Sequence, residues 1–500
     1  MCPTLQDFIC LHIADMGSDK NMFVKHLIPP IALAMALSGC ASQTLVSADL
    51  PDTPIPAQWS SLAKPANTVG GVHSLVVWWQ RFDDPQLTAL VSQGLLRNTD
   101  VRSAQAALQQ SRALRDIKSA GLGPKVGGAA SAQSGRSGSS AATDSFQFGF
   151  DASWEPDVFG GKRNALGAAE SDLQSARASL SQVQISMAAE IAVTYIELRG
   201  LQARLAIARS NLAAQTETLQ IAQWRTQAGL VSSLDVEQAV AAAEQTAAQI
   251  PTLATNLAQS ISSLAVLTGQ APGALRDALA VDLAPTVDQA SVAIPQAPAG
   301  VAVAIPAQTL RQRPDIRAAE YRISSALAQV AQADAARYPS FQISGSIGLR
   351  ALTLGALTNG ASLMQSLLAG VSVPLFDGGA ARAQVRVQEA GLEQARVAYE
   401  ATVLQALKDV EDALVALQGD TERAKRLLAA ATAAANADLM ARQRYASGLI
   451  DFRAVLDAQR TVLSTQDSVA ATRASLSADH VRLYKALGGG WAPETDTATQ

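Results

Sequence analysis

The chain has 500 residues, of which 48% are hydrophobic, so it is long enough for about two to four domains and can bury a large core. Only 4% of the residues are aromatic, and the apolar ones are mostly alanine, leucine and valine, a composition that favours closely packed helices. The net charge of −4, without a basic stripe, argues against nucleic-acid binding. Beyond the N-terminus no run of 18 apolar residues occurs, so a membrane-spanning helix is not expected.

The N-terminus has the features of a secretory signal peptide, predicted to cover residues 1–39. Two lysines precede the short apolar run LIPPIALAMAL, which is followed by SGCAS. The ending LSGC resembles the bacterial lipobox, so Cys40 is the predicted lipidation site and the first residue of the mature chain. Met22 gives a more usual signal length than Met1, which makes residues 1–21 a candidate start-site artefact.

Cysteine usage agrees with an exported lipoprotein. Cys2 and Cys10 precede the predicted cleavage point, so no disulfide can form within the mature chain. Ala41 follows the lipidated cysteine, whereas bacterial lipoproteins that stay in the inner membrane commonly carry aspartate there. The resemblance implies sorting to the outer membrane and contact with its lipid. Apart from the covalent lipid on Cys40, no cofactor is expected.

The chain contains a tandem repeat. The segment NTDVRSAQAAL (98–108) aligns with RPDIRAAEYRI (313–323) at an offset of 215, and AGL (228–230) aligns with SGL (447–449) at an offset of 219. The four extra residues of the second copy are expected in its strand region, opposite about 125–160 of the first. The predicted organisation is a lipid-anchored lead-in (40–84), a first repeat (85–270), a connector (271–310), a second repeat (311–490) and a tail (491–500).

Each repeat is predicted to contain a helix of about thirty residues (85–120 and 311–337), two strands, a very long helix, a glycine-containing turn and a second helix. The long helix of the first copy, 162–228, has no proline and would extend roughly 100 Å. Leucine or isoleucine recurs in it every seven residues from Ile191 to Leu219, which predicts a left-handed coiled coil. An ordinary bundle helix is the alternative, because a second seam is partly polar.

The strands alternate apolar and small or polar residues. The first copy has SFQFGFDASW (145–154) and a weaker strand within 125–136, and the second copy alternates over 341–349 and over 367–375. Each run is about ten residues, the length of a tilted strand that crosses a bilayer. Four strands cannot close a membrane barrel, so two or three copies would have to combine their strands. Soluble hairpins that cap the helices are the alternative.

These segments together resemble the outer membrane factor family, the TolC- and OprM-like efflux channels, in its NodT-type lipoprotein branch. The resemblance covers nearly the whole mature chain and is carried by the lipobox and by four further motifs: WWQRFDDPQLTALV (78–91), WEPDVFGGKR (154–163), RQRPDIRAAE (311–320) and VPLFDGGAAR (373–382). It implies a mainly α fold with a small β part. Long coiled-coil hairpins would form a trimeric α-barrel, and four strands per chain would give a 12-stranded transmembrane β-barrel.

The resemblance also implies a function and partners. The chain would be the outer membrane channel of a tripartite efflux pump, a passive homotrimeric duct that docks to a periplasmic membrane-fusion adapter and an inner-membrane transporter of the RND type. Three alternatives remain: a lipidated periplasmic adapter, a structural coiled-coil envelope lipoprotein and a type I protein secretion duct. The first two leave the repeat and the alternating strands unexplained. The exported substrate, whether drug, metal, solvent or protein, is not apparent from the sequence.

The turns between the long helices lie far from the strands, at QAGLVSSLDVEQA (227–239) and YASGLIDFRAVLDAQ (445–459). In the family this end is the periplasmic gate and the docking site of the adapter. Ile450 stands where the family often has an arginine, and two nearby residues are candidate substitutes. The resemblance assigns the gate to Asp235, Tyr445, Asp457, Asp451 and Arg453, and adapter docking to Gly229, Leu230, Gly448 and Leu449.

Physical reasoning gives these carboxylates two possible roles. Carboxylates gathered around a threefold axis repel one another and favour cations. Aspartates beside a turn also commonly act as helix N-caps, and capping is compatible with gating.

The sequence shows no catalytic constellation. After processing only His73 and His480 remain, and HExxH, CxxC and P-loop motifs do not occur. The scattered carboxylates form no convincing acid–base pair. The chain is therefore predicted not to be an enzyme, with no catalytic and no metal-binding residues.

Overall fold

The computed structural model describes residues 51, 55–56, 59–60, 76–136, 138–139, 141–280, 293–298 and 313–490. All of them belong to one compact unit, Ala48–Gln500. The predicted signal peptide, Cys40, most of the predicted connector and the tail lie outside the described residues.

The two repeats contain the same succession of elements. The first comprises α1 (Pro85–Arg97), α2 (Thr99–Ala120), β1 (Lys125–Gly135), β2 (Thr143–Trp154), α3 (Gly161–Gln227) and α4 (Ser233–Leu267). The second comprises α5 (Pro314–Ala335), β3 (Ser340–Ala351), β4 (Leu363–Ser372), α6 (Ala380–Ala446) and α7 (Phe452–Ala486). A short 3-10 helix, Trp78–Phe82, precedes α1. Within the described ranges, no helix is both long and apolar enough to cross a membrane.

The single helix expected over 85–120 is wrong, because Asn98 divides it into α1 and α2. Asn98 has a non-helical ψ of 140°, and its Oδ1 accepts hydrogen bonds from the backbone N–H groups of Asp100 (2.7 Å) and Val101 (3.3 Å). It is therefore the N-cap of α2. Its Nδ2 donates to the carbonyl of Leu267, the last residue of α4, at 2.9 Å. Helices α2 and α4 thus meet end to end and pack against the same long helix, α3.

Arg313 occupies the place in the second repeat that Asn98 has in the first, since the two residues begin the aligned segments. Its Nη1 donates to the carbonyl of Ala486, the last residue of α7, at 2.8 Å. The same guanidinium pairs with Asp315 (2.6 Å) and Asp409 (3.2 Å). Burial lowers the pKa of Arg313, but the two carboxylates outweigh that effect and hold the pKa above its usual value. A different side chain therefore makes the same joint between α5 and α7.

The largest core cluster lies where α1 and the ends of α4 and α7 pack against α3. Trp78 stacks on Tyr484 with ring centroids 5.6 Å apart, so the segment before α1 is held on the last helix of the chain. Ile191 and Leu198 of the predicted heptad seam are fully buried in the same cluster. Further along α3 the seam is less covered, and Leu219 is only partly buried. The heptad pattern thus marks a buried face that opens toward the turns.

The four strands form one antiparallel sheet in the order β1–β2–β3–β4, so the two repeats join through β2 and β3. The alternate residues on one face are apolar and solvent-exposed: Phe148, Phe150, Ile347 and Leu367 are 48%, 52%, 53% and 83% exposed. The opposite face carries residues such as Gln147, Ser344 and Ser346. Edges β1 and β4 pair with no other described strand. The sheet therefore has an apolar face and two open edges.

Two expectations about the strand region change in detail. The alternation predicted to run to Leu375 stops at Ser372, because Pro374 follows and has no N–H to donate to a ladder. The extra residues of the second copy lie in the link between its strands. That link runs from Ala351 to Leu363, whereas the link in the first copy runs from Gly135 to Thr143.

Candidate functional site

Each long helix ends in a tight turn built on a glycine with positive φ. Gly229 has φ +70° and Gly448 has φ +71°, values that other residues adopt only with strain. In the first turn the N–H of Leu230 donates to the carbonyl of Arg225 at 2.9 Å, which satisfies a carbonyl at the end of α3. The second turn repeats this bond from Leu449 to Arg444 at 2.9 Å.

The same geometry leaves a leucine exposed at the tip of each hairpin. Leu230 is 72% exposed and Leu449 is 74% exposed. All four residues expected to contact an adapter therefore lie on these two turns. A pair of exposed leucines, each presented by a rigid glycine cap, is suited to insertion into an apolar pocket of a partner.

Asp235 takes part in a capping box at the start of α4. Its Oδ2 accepts hydrogen bonds from the backbone N–H (3.1 Å) and the hydroxyl (3.0 Å) of Ser232, while the N–H of Asp235 donates to Ser232 Oγ at 3.4 Å. The first helical turn therefore fixes this carboxylate. The N-cap itself is Ser232, so the expectation that Asp235 is an N-cap is wrong by three residues, although the carboxylate still supports the start of α4 from the third helical position.

Asp451 is the N-cap of α7, the position equivalent to Ser232 in the first repeat. Its Oδ1 accepts a hydrogen bond from the backbone N–H of Ala454 at 3.0 Å. The carboxylate is thus engaged by its own helix, where the N-terminal end of the dipole also favours a negative charge.

Asp457 lies between two arginines of the same helix. Its Oδ2 is 3.9 Å from Arg453 Nε and its Oδ1 is 3.2 Å from Arg460 Nη1. All three side chains are more than half exposed, so these ion pairs contribute little to the stability of one chain. The arrangement leaves both arginines and the carboxylate available to neighbouring molecules.

Tyr445 connects the two hairpins near their tips. The guanidinium of Arg225, at the end of α3, lies 4.5 Å from the centre of the Tyr445 ring, and the ring of Phe452 lies 5.2 Å away. The Tyr445 hydroxyl is buried and makes no hydrogen bond within the described part of the chain. Phe452 itself is buried in a cluster with Ala222 of α3. Both hairpins are therefore packed together at this level.

Sequence reasoning missed Arg225 and Phe452. Arg225 lies just before the quoted turn segment, and its partner belongs to the other repeat, so local pattern gave no signal. The repeat alignment did offer a signal, because the offset of 219 makes Arg225 the counterpart of Arg444, the residue just before Tyr445. Of the five expected gate residues, Asp235 and Asp451 bond at the starts of α4 and α7, Arg453 and Asp457 pair with each other, and Tyr445 packs across the hairpins.

The predicted lipidation site, Cys40, lies outside the described residues. Among the residues that the structure does describe, no group of three or more His, Cys, Asp or Glu side chains is arranged to hold a metal ion.

Comparison with known proteins gives a consistent result over both repeats. The family model described as outer membrane efflux protein matches residues 90–270 and 305–489. Nodulation protein T of Rhizobium leguminosarum bv. viciae is 32% identical over 445 residues, 88% of this chain and 89% of that protein. The probable efflux pump outer membrane protein SepC of Pseudomonas putida is 30% identical over 480 residues, 92% of this chain and 96% of that protein.

The solved structures agree in fold. The structure of the outer-membrane channel OprN superposes with a TM-score of 0.79 at 34% identity and covers 88% of this chain and 99% of that chain. The likeness thus includes the helical hairpins and the four-stranded sheet together.

Proposed function

The chain belongs to the outer membrane efflux protein family, and from that premise we propose that three copies form a passive exit duct of a tripartite efflux pump. The chain is mainly helical with a small antiparallel sheet, as in the outer membrane channels of the family. Its relatives are outer membrane proteins of efflux pumps, which does not favour the adapter, the structural lipoprotein or the secretion duct. A channel of this kind performs no chemical step.

The open sheet carries this proposal. Its four strands expose an apolar face and leave both edges unpaired within the described chain. Hydrocarbon cannot satisfy free backbone groups, so a sheet with such a face must close before it enters a bilayer. Three copies supply 12 strands, an even number within the range of known membrane barrels. The polar opposite face then lines a wet interior.

The paired turns support a gate at the other end of the duct. Asp235 and Asp457 lie near the tips of the two hairpins, and a trimer brings three of each around one axis. Carboxylates gathered close to one axis repel one another, and this repulsion destabilises a fully closed tip unless neighbouring cations offset it. The stacking of Arg225 on Tyr445 supplies a cation at this level, where Ile450 stands in place of the usual arginine.

The exposed leucines support docking to a periplasmic adapter. Gly229 and Gly448 fix the two turns, and Leu230 and Leu449 project from them. The energy for export would come from an inner-membrane transporter, for which the RND type is proposed. One relative is named a toluene efflux pump protein and another a cation efflux protein, so the exported compound depends on the transporter that supplies it.

A lipid on Cys40 would provide a second anchor beside the barrel. The LSGC sequence after a short apolar run supports this modification. The anchor would lie in the inner leaflet of the outer membrane, at the end of the duct where the strands begin.

Reconstitution into planar lipid bilayers tests the duct. The purified full chain should migrate as an oligomer that dissociates to monomer on heating, and it should give discrete conductance steps. A chain that remains monomeric in detergent, or that never conducts after insertion, would contradict the proposal.

A further inference from the structure

We propose that Arg350 gives the membrane part of the duct a preference for anions, because three copies place a ring of guanidinium groups near the outer end of the barrel lumen. This inference rests on the proposed trimeric duct and adds the residue that discriminates between passing solutes by their charge.

Charged residues are few in the sheet, and most of them share one face. The four strands contain four charged residues: Lys125, Asp144, Asp151 and Arg350. Lys125 is opposite Ser153, Asp151 is opposite Ser346 and Arg350 is opposite Gln147, so these three lie on the polar face. Asp144 alternates with Phe146 and therefore belongs to the apolar face, at the end of β2 that is far from the helices. In a closed barrel the polar face lines the lumen.

Lys125 and Asp151 offset each other. Asp151 is two residues from Ser153, the partner of Lys125, so the two charged residues are diagonal neighbours about 7–8 Å apart. A positive and a negative charge at this separation leave little field at larger distances, where screening by salt weakens it further. This level of the lumen therefore carries no net charge.

Arg350 has no such counter-charge. It lies four residues beyond Ser346 on β3, about 13 Å along the strand from the level of Asp151. The residue opposite it, Gln147, is neutral, and the Arg350 side chain is exposed and makes no hydrogen bond or ion pair with any described residue. The two links at this end of the sheet, 136–142 and 352–362, contain one charged residue, Arg136, which is also basic. The outer end of the lumen is therefore positive.

The width of the lumen lets this charge act on every passing solute. Twelve strands spaced about 4.8 Å apart and tilted about 40° enclose a barrel roughly 24 Å across between backbones. The axis is then roughly 12 Å from the wall, and arginine side chains bring their charges within about the 8–10 Å Debye length of physiological salt. The low-dielectric wall and the surrounding lipid focus this field into the lumen.

The ring selects by charge and not by chemical structure. A guanidinium group stays protonated at every physiological pH, so the preference does not depend on pH. Anions are concentrated near the ring and cations are depleted, as in other pores lined by rings of basic side chains. Compounds with an exposed carboxylate, sulfonate or phosphate should therefore leave through the barrel more readily than cations of the same size.

Charged thiol reagents measure the potential at this level directly, without a contribution from the tip of the duct. Gln147→Cys places a thiol opposite Arg350, in a chain with Cys2 and Cys10 replaced by serine. Two methanethiosulfonates, one with a sulfonate and one with a trimethylammonium group, attack the same thiolate. The ratio of their rates, divided by the ratio for 2-mercaptoethanol, cancels the accessibility and the pKa of the thiol. It should favour the anionic reagent in the heat-sensitive trimer.

Substitutions of Arg350 give the main comparison. Arg350→Gln should lower the rate ratio about threefold to tenfold, and Arg350→Glu should lower it further, since each removes or reverses a charge next to the thiol. Arg350→Lys keeps the charge and should keep the ratio. Because the Arg350 side chain is exposed and unbonded, these variants should still assemble.

Two aspartates of β2 give a matched control. Asp151 is four residues and Asp144 three residues from the reporter thiol, on opposite faces of the same strand. Asp151→Asn leaves Lys125 uncompensated and should raise the rate ratio, whereas Asp144→Asn makes the same chemical change outside the lumen and should leave it unaltered.

The outcomes separate this inference from the proposed function. A conducting trimer whose rate ratio is the same with Arg350→Gln as without it would overturn the inference and leave the duct in place. A conducting trimer whose reporter thiol reacts with neither reagent would also overturn it, because the polar face would then not line the lumen. A chain that neither oligomerises nor conducts, even without cysteine substitutions, would overturn the proposed function itself.

Discussion

Arg225 is the residue that the structure adds to the tip. Its guanidinium faces the Tyr445 ring at 4.5 Å and so links the end of α3 to the end of α6. A cation–π contact of this kind is worth about 0.5–1 kcal/mol at an exposed site. In the proposed trimer, if opening separates the two side chains, three copies would favour the closed tip by about 1.5–3 kcal/mol. This is enough to change the ratio of closed to open channels by about tenfold to a hundredfold.

We therefore expect Arg225→Leu to raise the open probability in planar bilayers and to increase the sensitivity of cells to large antibiotics. Arg225→Lys keeps a cation but loses the planar stacking, so its open probability should lie between those of the parent chain and Arg225→Leu. Arg426→Leu, on the exposed surface of α6 and paired with Glu422, is the control and should behave as the parent chain. Equal open probability for Arg225→Leu and the parent chain would remove this contact from the gate.

Asp377 gives a pH-dependent prediction at the start of α6. Its carboxylate accepts hydrogen bonds from the backbone N–H groups of Ala381 and Gly379, both at 2.8 Å, and these bonds lower its pKa below the usual 3.8. A carboxyl group with a lowered pKa stabilises the fold above its unfolded pKa and loses that effect as the pH falls through the lowered value.

Asp377→Asn should accordingly lower the unfolding temperature at neutral pH, since a neutral amide accepts these bonds more weakly. The difference from the parent chain should shrink once the pH falls below about 3.8. Circular dichroism melting of both proteins between pH 7 and pH 2 measures it. A difference that stays constant over the whole range would show that the carboxylate charge is not involved.

At the scale of elements, the sequence predicts the long helices well. The helix expected over 162–228 is found at Gly161–Gln227, because an uninterrupted run without proline and a sustained heptad both favour it. The break at Asn98 was missed, since helix-forming residues continue on both sides. The only local signal is Asn98 itself, followed by Asp100 in the first turn, which is a weak capping pattern.

The candidate site was only partly predictable for a related reason. The turns at Gly229 and Gly448 follow from local sequence, because a glycine after a helix favours a left-handed cap. The contact of Arg225 with Tyr445 depends on how two hairpins pack, and no periodicity within either hairpin specifies it. Pairings between distant helices require the three-dimensional arrangement.

Gly200 makes an element-scale prediction in which packing opposes intrinsic helix propensity. Alanine at an exposed helical glycine usually stabilises by about 0.5–1 kcal/mol. At Gly200 the added methyl group would lie 2.7 Å from Ala474 Cβ, so α3 and α7 would have to move apart. We expect Gly200→Ala to lower the melting temperature.

The matched control is Gly167→Ala, also within α3, where a built Cβ meets no atom within 4 Å. This variant should be as stable as the parent chain or slightly more stable. If both variants gained stability to the same extent, the close approach of α3 and α7 would not limit packing.

At the scale of the whole molecule, neither repeat alone could pair its strand edges and cover the apolar residues of its long helix. Each repeat contributes two strands and a helical hairpin. Within the described residues, both sheet edges remain unpaired and apolar side chains of α6 such as Val387 and Val397 remain exposed. Further copies arranged around one axis would both pair the sheet edges and cover the exposed side of α6.

The two faces of the closed sheet should differ in their tolerance of charge. Leu367 and Leu368 are adjacent near the middle of β4, so they point to opposite faces, and both are exposed, at 83% and 65%. Leu367 lies on the face shared with Phe150 and Ile347 and would contact lipid, whereas Leu368 lies on the face shared with Ser344 and would contact the lumen. An arginine in the middle of the lipid face costs about 2–4 kcal/mol per copy.

Leu367→Arg therefore places three guanidinium groups in hydrocarbon and should abolish the heat-sensitive oligomer in outer membrane fractions. Leu368→Arg, one residue away and matched in size and charge, should assemble normally and instead change the conductance and ion selectivity of the duct, because its charge lies in the aqueous path. Equal assembly of the two variants would mean that the apolar face does not contact lipid. The alternation of apolar and polar residues along the strands would then no longer support a sheet that closes inside the bilayer.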